Sequence, residues 1–170
     1  KDGSEQAKDG MDIALVIIDR QLDMLEFAGA YNPMAMVRNG ELFEYKGDNM
    51  PVGQHIISSK PFTSHRIQLQ HGDMIYLYSD GFPDQFGGPR GGKYKARPFK
   101  NFLLQISGEP VKKQAAMLEK ELKKWMGEEE QVDDILFVHF DPSTVPPKPV
   151  DEAQLPSWQK VIAQAEQAAG

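Results

Sequence analysis

Three aspartates have surroundings suited to holding a divalent cation. Asp80 stands in Ser79-Asp80-Gly81, just past the apolar run Met74–Tyr78. Asp133 and Asp134 stand just before a second apolar run, Ile135–Val138. Each run is long enough for a buried strand. A strand end holds a functional side chain more rigidly than a loop does. Two such strands, adjacent and antiparallel, would bring Asp80 and Asp133 together as hard oxygen donors for Mg²⁺ or Mn²⁺. Spacing alone favours a plainer account, because Asp-Gly after a strand is usually a turn and Asp-Asp before one is often a solvated edge. Asp134 is expected to orient its neighbour or to bind through water.

The elements that must position these residues follow from periodicity. Asp12–Asp19 reads as a strand with apolar residues on both faces, and Leu22–Ala28 alternates apolar and acidic residues like a half-buried antiparallel strand. Gly29–Pro33 is a turn. Met34–Arg38 and Leu42–Lys46 flank Asn39-Gly40, the strongest short hairpin signal. A loop over Gly47–Ser59 and a strand over Phe62–Leu69 precede the Asp80 strand. Gly87–Arg97 reads as a flexible loop with Arg90, Lys93, Lys95 and Arg97 and no acidic residue.

Two helices follow. The first spans Phe99–Ile106, with apolar residues at 99, 102, 103 and 106. The second spans Val111–Met126, with Pro110 suited to its first turn, Gly127 to its C-cap, and Ala115, Leu118, Leu122, Trp125 and Met126 on one side. From Asp141 onward, Pro142, Pro146, Pro147 and Pro149 form a stiff linker to a short helical pattern at 157–168 that contains Trp158. The expected division is a domain over 1–140 and a tail over 141–170.

The bulk properties exclude several classes. The chain of 170 residues is 40% hydrophobic and 26% charged, an ordinary globular composition. Its net charge of -6 argues against sequence-independent nucleic-acid binding. With no cysteine there is no disulfide, thiolate metal site or cysteine nucleophile. No apolar run approaches a membrane span and none reads as a signal peptide, so a cytoplasmic location is expected. The chain starts at Lys1 without a methionine, which suggests a piece of a longer protein.

Four stretches, in consistent order between about residue 9 and residue 140, carry a family resemblance. Ser79-Asp80-Gly81-Phe82-Pro83-Asp84-Gln85 resembles the Thr/Ser-Asp-Gly segment of the type 2C (PPM) metal-dependent serine/threonine phosphatases, in particular the branch named after stage II sporulation protein E. Ala28-Gly29-Ala30-Tyr31-Asn32-Pro33 is similar to that branch's Ala-Gly-His-Asn-Pro turn, with the histidine position altered. Gly47–Gly53 resembles its Pro-Leu/Ile-Gly loop. Gln131-Val132-Asp133-Asp134-Ile135 resembles its closing Asp-Asp/Asn-hydrophobic-Thr motif, with Leu136 in place of the usual threonine.

The resemblance implies an α+β fold: an antiparallel β-sandwich flanked by helices, with two Mg²⁺ or Mn²⁺ ions between the sheets. These ions activate a water that attacks phosphorus in line, with no covalent phospho-enzyme. By position, Asp80 and Asp133 match two metal ligands, and no catalytic residue beyond metal ligands is implied. The implied substrates are phosphoserine or phosphothreonine on a bacterial signalling protein, with an anti-anti-sigma-type regulator as the partner that family precedent suggests.

The chain departs from the family pattern in lacking its early Gly-Asp-x-x-Asp and Asp-x-x-Gly-His-Gly segments. The expectation is therefore a C-terminal part of the catalytic domain, inactive by itself and exposing edges that favour self-association. A non-catalytic sandwich that binds a partner, with an incomplete metal site, is the alternative. Other features have simple readings. The basic loop, with Lys100 beyond it, could draw a phosphorylated substrate toward Asp80, though a solvated loop is the preferred reading. Glu128–Glu130 would be solvated. His55, His65, His71 and His139 lack metal-ligand spacing, and Met34 and Met36 read as packing residues.

Overall fold

A computed structural model describes residues 10–53 and 60–146. Residues 1–10, polar and glycine-containing, read from sequence as a loop or frayed end; all of them but Gly10 lie outside the described residues, as do His55 and the proline-rich and Trp158 tail from residue 147.

The chain opens with β1 (Gly10–Met11), β2 (Ile13–Asp19) and β3 (Met24–Ala30). β2 and β3 pair antiparallel from Ile13↔Ala30 to Asp19↔Met24. The turn between them is held by Asp19 Oδ1, which accepts the Gln21 and Leu22 amides. β4 (Met34–Arg38) and β5 (Glu41–Tyr45) form the expected hairpin. Both turn residues have positive φ, 51° at Asn39 and 78° at Gly40, which asparagine and glycine tolerate at low cost. β6 (Val52–Gly53) pairs with β1, so Gly10, at the end of the expected N-terminal loop, and Val52-Gly53, within the expected Gly47–Ser59 loop, belong to a small ladder instead.

β7 (His65–Gln68) adds to β3, shorter than the Phe62–Leu69 strand expected. β8 (Met74–Tyr78) pairs with β4 and leads into the single-turn helix α1 (Gly81–Asp84). The expected flexible loop is instead a small hairpin, β9 (Phe86–Gly87) and β10 (Gly92–Lys93). It is ordered because Trp125 seats it: the Gly88 amide donates to the Trp125 carbonyl at 2.7 Å, and the indole Nε1 donates to the Gln85 carbonyl at 2.9 Å.

The helices α2 (Ala96–Ile106) and α3 (Val111–Met126) stand near their expected limits. Pro110 is the N-cap of α3 rather than part of its first turn, and Gly127 caps its end at φ 59°. Ala115, expected on the buried face, is exposed, and Gln114 is buried there beside Leu118. Gln114 is accommodated by hydrogen bonds: its Oε1 accepts from the Tyr76 hydroxyl at 2.8 Å, and its Nε2 donates to the Glu109 carbonyl at 2.7 Å. β11 (Phe137–Phe140) closes the main sheet beside β8, followed by a 3-10 turn over Pro142–Thr144.

Among the described residues the main layers are a four-stranded sheet, β11-β8-β4-β5, and a three-stranded sheet, β2-β3-β7. Alternation along the strands divides the core. Met34, Met36 and Ile75 face the second sheet and pack with Leu25, Phe27 and Ile67. Ala35, Val37, Tyr76 and Tyr78 face the helices and pack with Phe99, Leu103, Ile106 and Leu118. The result is the antiparallel sandwich with helices on one face that the family resemblance implies. Several apolar side chains remain exposed: Leu15 (53%) and Ile17 (56%) on the edge strand β2, and Leu136 (62%) and Val138 (44%) along the edge at β11.

Candidate functional site

Strand register gathers the four motif segments at one end of the four-stranded sheet. Met34 pairs with Leu77 and with Tyr45, and Tyr78 pairs with Phe137. The Asn32-Pro33 turn enters β4 there, Lys46-Gly47-Asp48 leaves β5, Ser79-Asp80 leaves β8, and Asp133–Leu136 enters β11. Segments spread over more than a hundred residues thus meet at one edge of the fold.

Ser79 fastens the two acidic segments to each other. Its hydroxyl donates to the Asp134 carbonyl at 2.8 Å and accepts the Leu136 amide at 2.9 Å, while its own amide donates to the Leu136 carbonyl at 3.1 Å. Because a side chain takes the Leu136 amide, β11 begins at Phe137, two residues later than the strand expected at Ile135. Asp133 and Asp134 therefore occupy an extended lead-in. Gly81 completes the contact: a Cβ there would lie 2.5 Å from the Asp134 carbonyl oxygen, so only glycine lets the α1 turn approach this closely.

The sequence-predicted site residues stand on both sides of that clamp. Asp80 is the exposed N-cap of α1, yet its side chain makes no capping hydrogen bond, and among the described residues neither of its oxygens has a hydrogen-bond partner. Asp133 is exposed, and its Oδ1 accepts the Asp134 amide at 2.7 Å. Asp84, one turn beyond Asp80, pairs with Lys93 at 2.7 Å. These are hard donors of the type a Mg²⁺ or Mn²⁺ site uses, but the set is short. Among the described residues no three acidic or histidine side chains converge closely enough to hold a cation.

A second junction joins the other two motifs. The Tyr31 amide donates to the Asp48 carbonyl at 2.9 Å, and the Asp48 amide donates to the Gly29 carbonyl at 2.8 Å. The Asp48 carboxylate accepts the Thr63 amide at 2.6 Å and the Thr63 hydroxyl at 3.1 Å, with Lys60 at 3.6 Å. The Thr63 amide above all holds the Asp48 carboxyl below its ordinary range, with the Thr63 hydroxyl and Lys60 acting in the same direction.

The three described histidines are structural or at the surface, as expected. His139 Nε2 lies 2.9 Å from the Val111 carbonyl, His65 packs against Phe27 and Tyr45, and His71 is exposed. Met34 and Met36 are buried packing residues. Ser79, Asp48 and Trp125 escaped the sequence reading as organising residues. A serine inside a turn signal carries no mark of the distant carbonyl it will bind. Asp48 has no partner nearby in sequence, and Trp125 reads simply as one apolar position of a helix.

Comparison with known proteins places this geometry. The family model described as Stage II sporulation protein E (SpoIIE) matches residues 4–142. No curated protein matches the chain. Among solved structures, the SiaA-PP2C domain of Pseudomonas aeruginosa is 32% identical with a TM-score of 0.69, over 76% of this chain and 50% of that one. The Mn-presoaked phosphatase domain of the cell fate determinant SpoIIE from Bacillus subtilis is 20% identical with a TM-score of 0.58, over 81% of this chain and 59% of that one. The catalytic domain of the serine/threonine protein phosphatase PstP, in complex with 2 manganese ions, is 15% identical with a TM-score of 0.53, over 76% of this chain and 57% of that one. The last two likenesses concern the fold alone. This chain spans about half the length of the SiaA domain. The family model covers most of its residues and the sandwich has the matching fold, so the chain belongs to the stage II sporulation protein E family of PP2C-type phosphatase domains.

Proposed function

We propose that this chain is the C-terminal part of a metal-dependent phosphoserine/phosphothreonine protein phosphatase of bacterial signalling, with Asp80 and Asp133 as metal ligands. The observation that carries the reading is the Ser79 clamp, which fixes the Asp133-Asp134 segment against the Ser79-Asp80-Gly81 turn. When bound, Mn²⁺ or Mg²⁺ supplies Lewis-acid polarisation of a phosphoryl group and acidifies water. The chain's own part is positional. Asp80 offers a carboxylate with no capping bond, and Asp133 has Oδ1 tied to the Asp134 amide and, among the described residues, no partner on Oδ2. Asp134 supplies its carbonyl to Ser79 and orients its neighbour. The reading includes an anti-anti-sigma-type phosphoprotein as substrate and a cytoplasmic setting. Among the described residues no helix is long and apolar enough to cross a membrane.

A second reading, a non-catalytic interaction module with an incomplete metal site, is favoured by one observation: among the described residues no three acidic or histidine side chains converge to hold a cation. On either reading this chain by itself is expected to turn over little substrate. The test is Mn²⁺-dependent hydrolysis of an aryl phosphate and of a phosphoserine peptide, by this chain and by a polypeptide extended to the length of the SiaA domain. Asp80→Asn and Asp133→Asn are made in each. The phosphatase reading expects activity in the extended protein that each substitution abolishes. An extended protein that binds Mn²⁺ no better than its Asp80→Asn form would instead support the interaction module.

A further inference from the structure

We propose that the β9–β10 hairpin and the start of α2 form a docking surface for an acidic segment of the protein substrate. The proposal rests on the phosphoprotein reading above for its substrate class, and it assigns a job to the basic residues that a solvated loop would leave without one.

The hairpin is built onto α1 and Gln85, immediately after the Ser79-Asp80-Gly81 turn, rather than tethered loosely near them. The Lys95 amide donates to the Pro83 carbonyl at 2.7 Å, and the Tyr94 amide donates to the Gln85 carbonyl at 3.0 Å. The Tyr94 ring packs edge-on against Phe82 at 5.2 Å and against Trp125 at 5.0 Å. Lys93 reaches Asp84 at 2.7 Å, and the Asp84 amide donates to the Asp80 carbonyl at 2.9 Å. Behind the hairpin, Gly87 admits no side chain, since a Cβ would stand 2.0 Å from the Trp125 carbonyl oxygen. Few conformations remain to be lost on binding, so an ion pair formed here keeps more of its Coulomb gain than one formed on a floppy loop.

Charge is concentrated on this element. In a chain of net charge -6, the stretch from Gln85 to Gly108 contains no acidic residue and includes Arg90, Lys93, Lys95, Arg97 and Lys100. Lys93 and Lys100 are engaged with Asp84 and Glu44. Arg90, Lys95 and Arg97 are exposed and make no ion pair among the described residues. The acidic lead-in around Asp133 would repel an anionic segment, so this rigid basic edge beside Asp80 is where such a segment gains attraction. The chain's overall negative charge disfavours nucleic acid as the occupant, because a polyanion meets repulsion beyond the hairpin.

The test measures binding of this chain without metal, so turnover plays no part. Fluorescence anisotropy would compare a labelled phosphoserine peptide flanked by glutamates with the same peptide flanked by glutamines. Both would be run on the wild type, on Arg90→Glu/Arg97→Glu, and on a control of equal charge change, Lys112→Glu/Lys120→Glu, on exposed positions of α3. The expected result is tighter binding of the glutamate-flanked peptide, about tenfold weakened by the hairpin reversal and little changed by the control, with the preference fading as salt rises. Equal weakening by both reversals, no preference for glutamate, or stronger binding of a single-stranded oligonucleotide than of the peptide would each overturn the proposal. Failure of the Mn²⁺ assay with this binding intact would remove only the catalytic reading. Activity without the preference would remove only the docking surface.

Discussion

The Ser79 hydroxyl donates to the carbonyl of Asp134, 55 residues away in sequence, at 2.8 Å, and the same oxygen accepts the Leu136 amide at 2.9 Å. One small side chain thus sets how the two acidic segments face each other. Removing it leaves a carbonyl and an amide to find water, at a net cost of about 0.5–1.5 kcal/mol for each bond. Ser79→Ala should lower stability by about 1–3 kcal/mol in urea denaturation and weaken Mn²⁺ binding, read by titration, in any form of the protein that binds it. Ser79→Thr keeps the hydroxyl and should restore both. Equal metal binding in the alanine and threonine variants would show that the clamp is purely structural.

Gly81 makes the same contact from the other side. A methyl group at this position would press on the Asp134 carbonyl at 2.5 Å, and backbone cannot yield as a flexible side chain can. Gly81→Ala should therefore cost about 1–3 kcal/mol, the usual range for overpacking, although alanine is the better helix former. A thermal melt showing no loss would mean that the lead-in to β11 moves aside freely.

Arg38 and Asp73 tie the turn before β8 to β4. The guanidinium donates from Nε to Oδ1 at 2.7 Å and from Nη2 to Oδ2 at 2.6 Å, and Asp73 is buried with its Oδ2 also accepting the Gln70 amide at 2.8 Å. This bidentate pair raises the Arg38 pKa, chiefly through the hydrogen bond to Asp73. Removing one partner of a buried pair costs about 3–5 kcal/mol; Arg38 retains some solvent contact, so the lower end applies. Arg38→Met should be strongly destabilising, and Arg38→Met/Asp73→Leu less so than the two single changes summed. A double-mutant cycle in urea measures that difference.

Asp48 gives the fold an acid-sensitive joint. Its carboxyl titrates below the ordinary aspartate value because the folded protein supplies the Thr63 amide, the Thr63 hydroxyl and Lys60. The contribution is complete above the unfolded-state pKa and is lost as pH falls from there through the lower, folded-state value. Stability should decline across that acidic window, and Asp48→Asn should flatten the decline while leaving the neutral-to-alkaline profile unchanged. Denaturation midpoints between pH 2 and pH 7 would show it; parallel curves for the two proteins would exclude Asp48 as the joint.

Much of this protein was legible in its sequence because the relevant forces are local. Asn39-Gly40 predicts its hairpin through the low cost of positive φ, which depends on nothing distant. The apolar run Met74–Tyr78 predicts a buried strand, and the spacing of Phe99, Leu103 and Ile106 predicts a helix face, because burial must follow backbone periodicity. Asp80 and Asp133 could be singled out by their positions beside such runs.

What tertiary structure alone decided is where segments far apart in sequence meet. The Ser79 clamp starts β11 at Phe137, since a hydroxyl outcompetes the ladder for the Leu136 amide. Gln114 rather than Ala115 faces the core, because Tyr76 offers a partner that a helix pattern cannot disclose. The glycine-rich basic stretch became a fixed hairpin because Trp125 supplies a carbonyl and an indole donor to a backbone that has few preferences of its own. Local propensity fixes each segment's conformation, and hydrogen bonds between distant segments choose among the placements it leaves open.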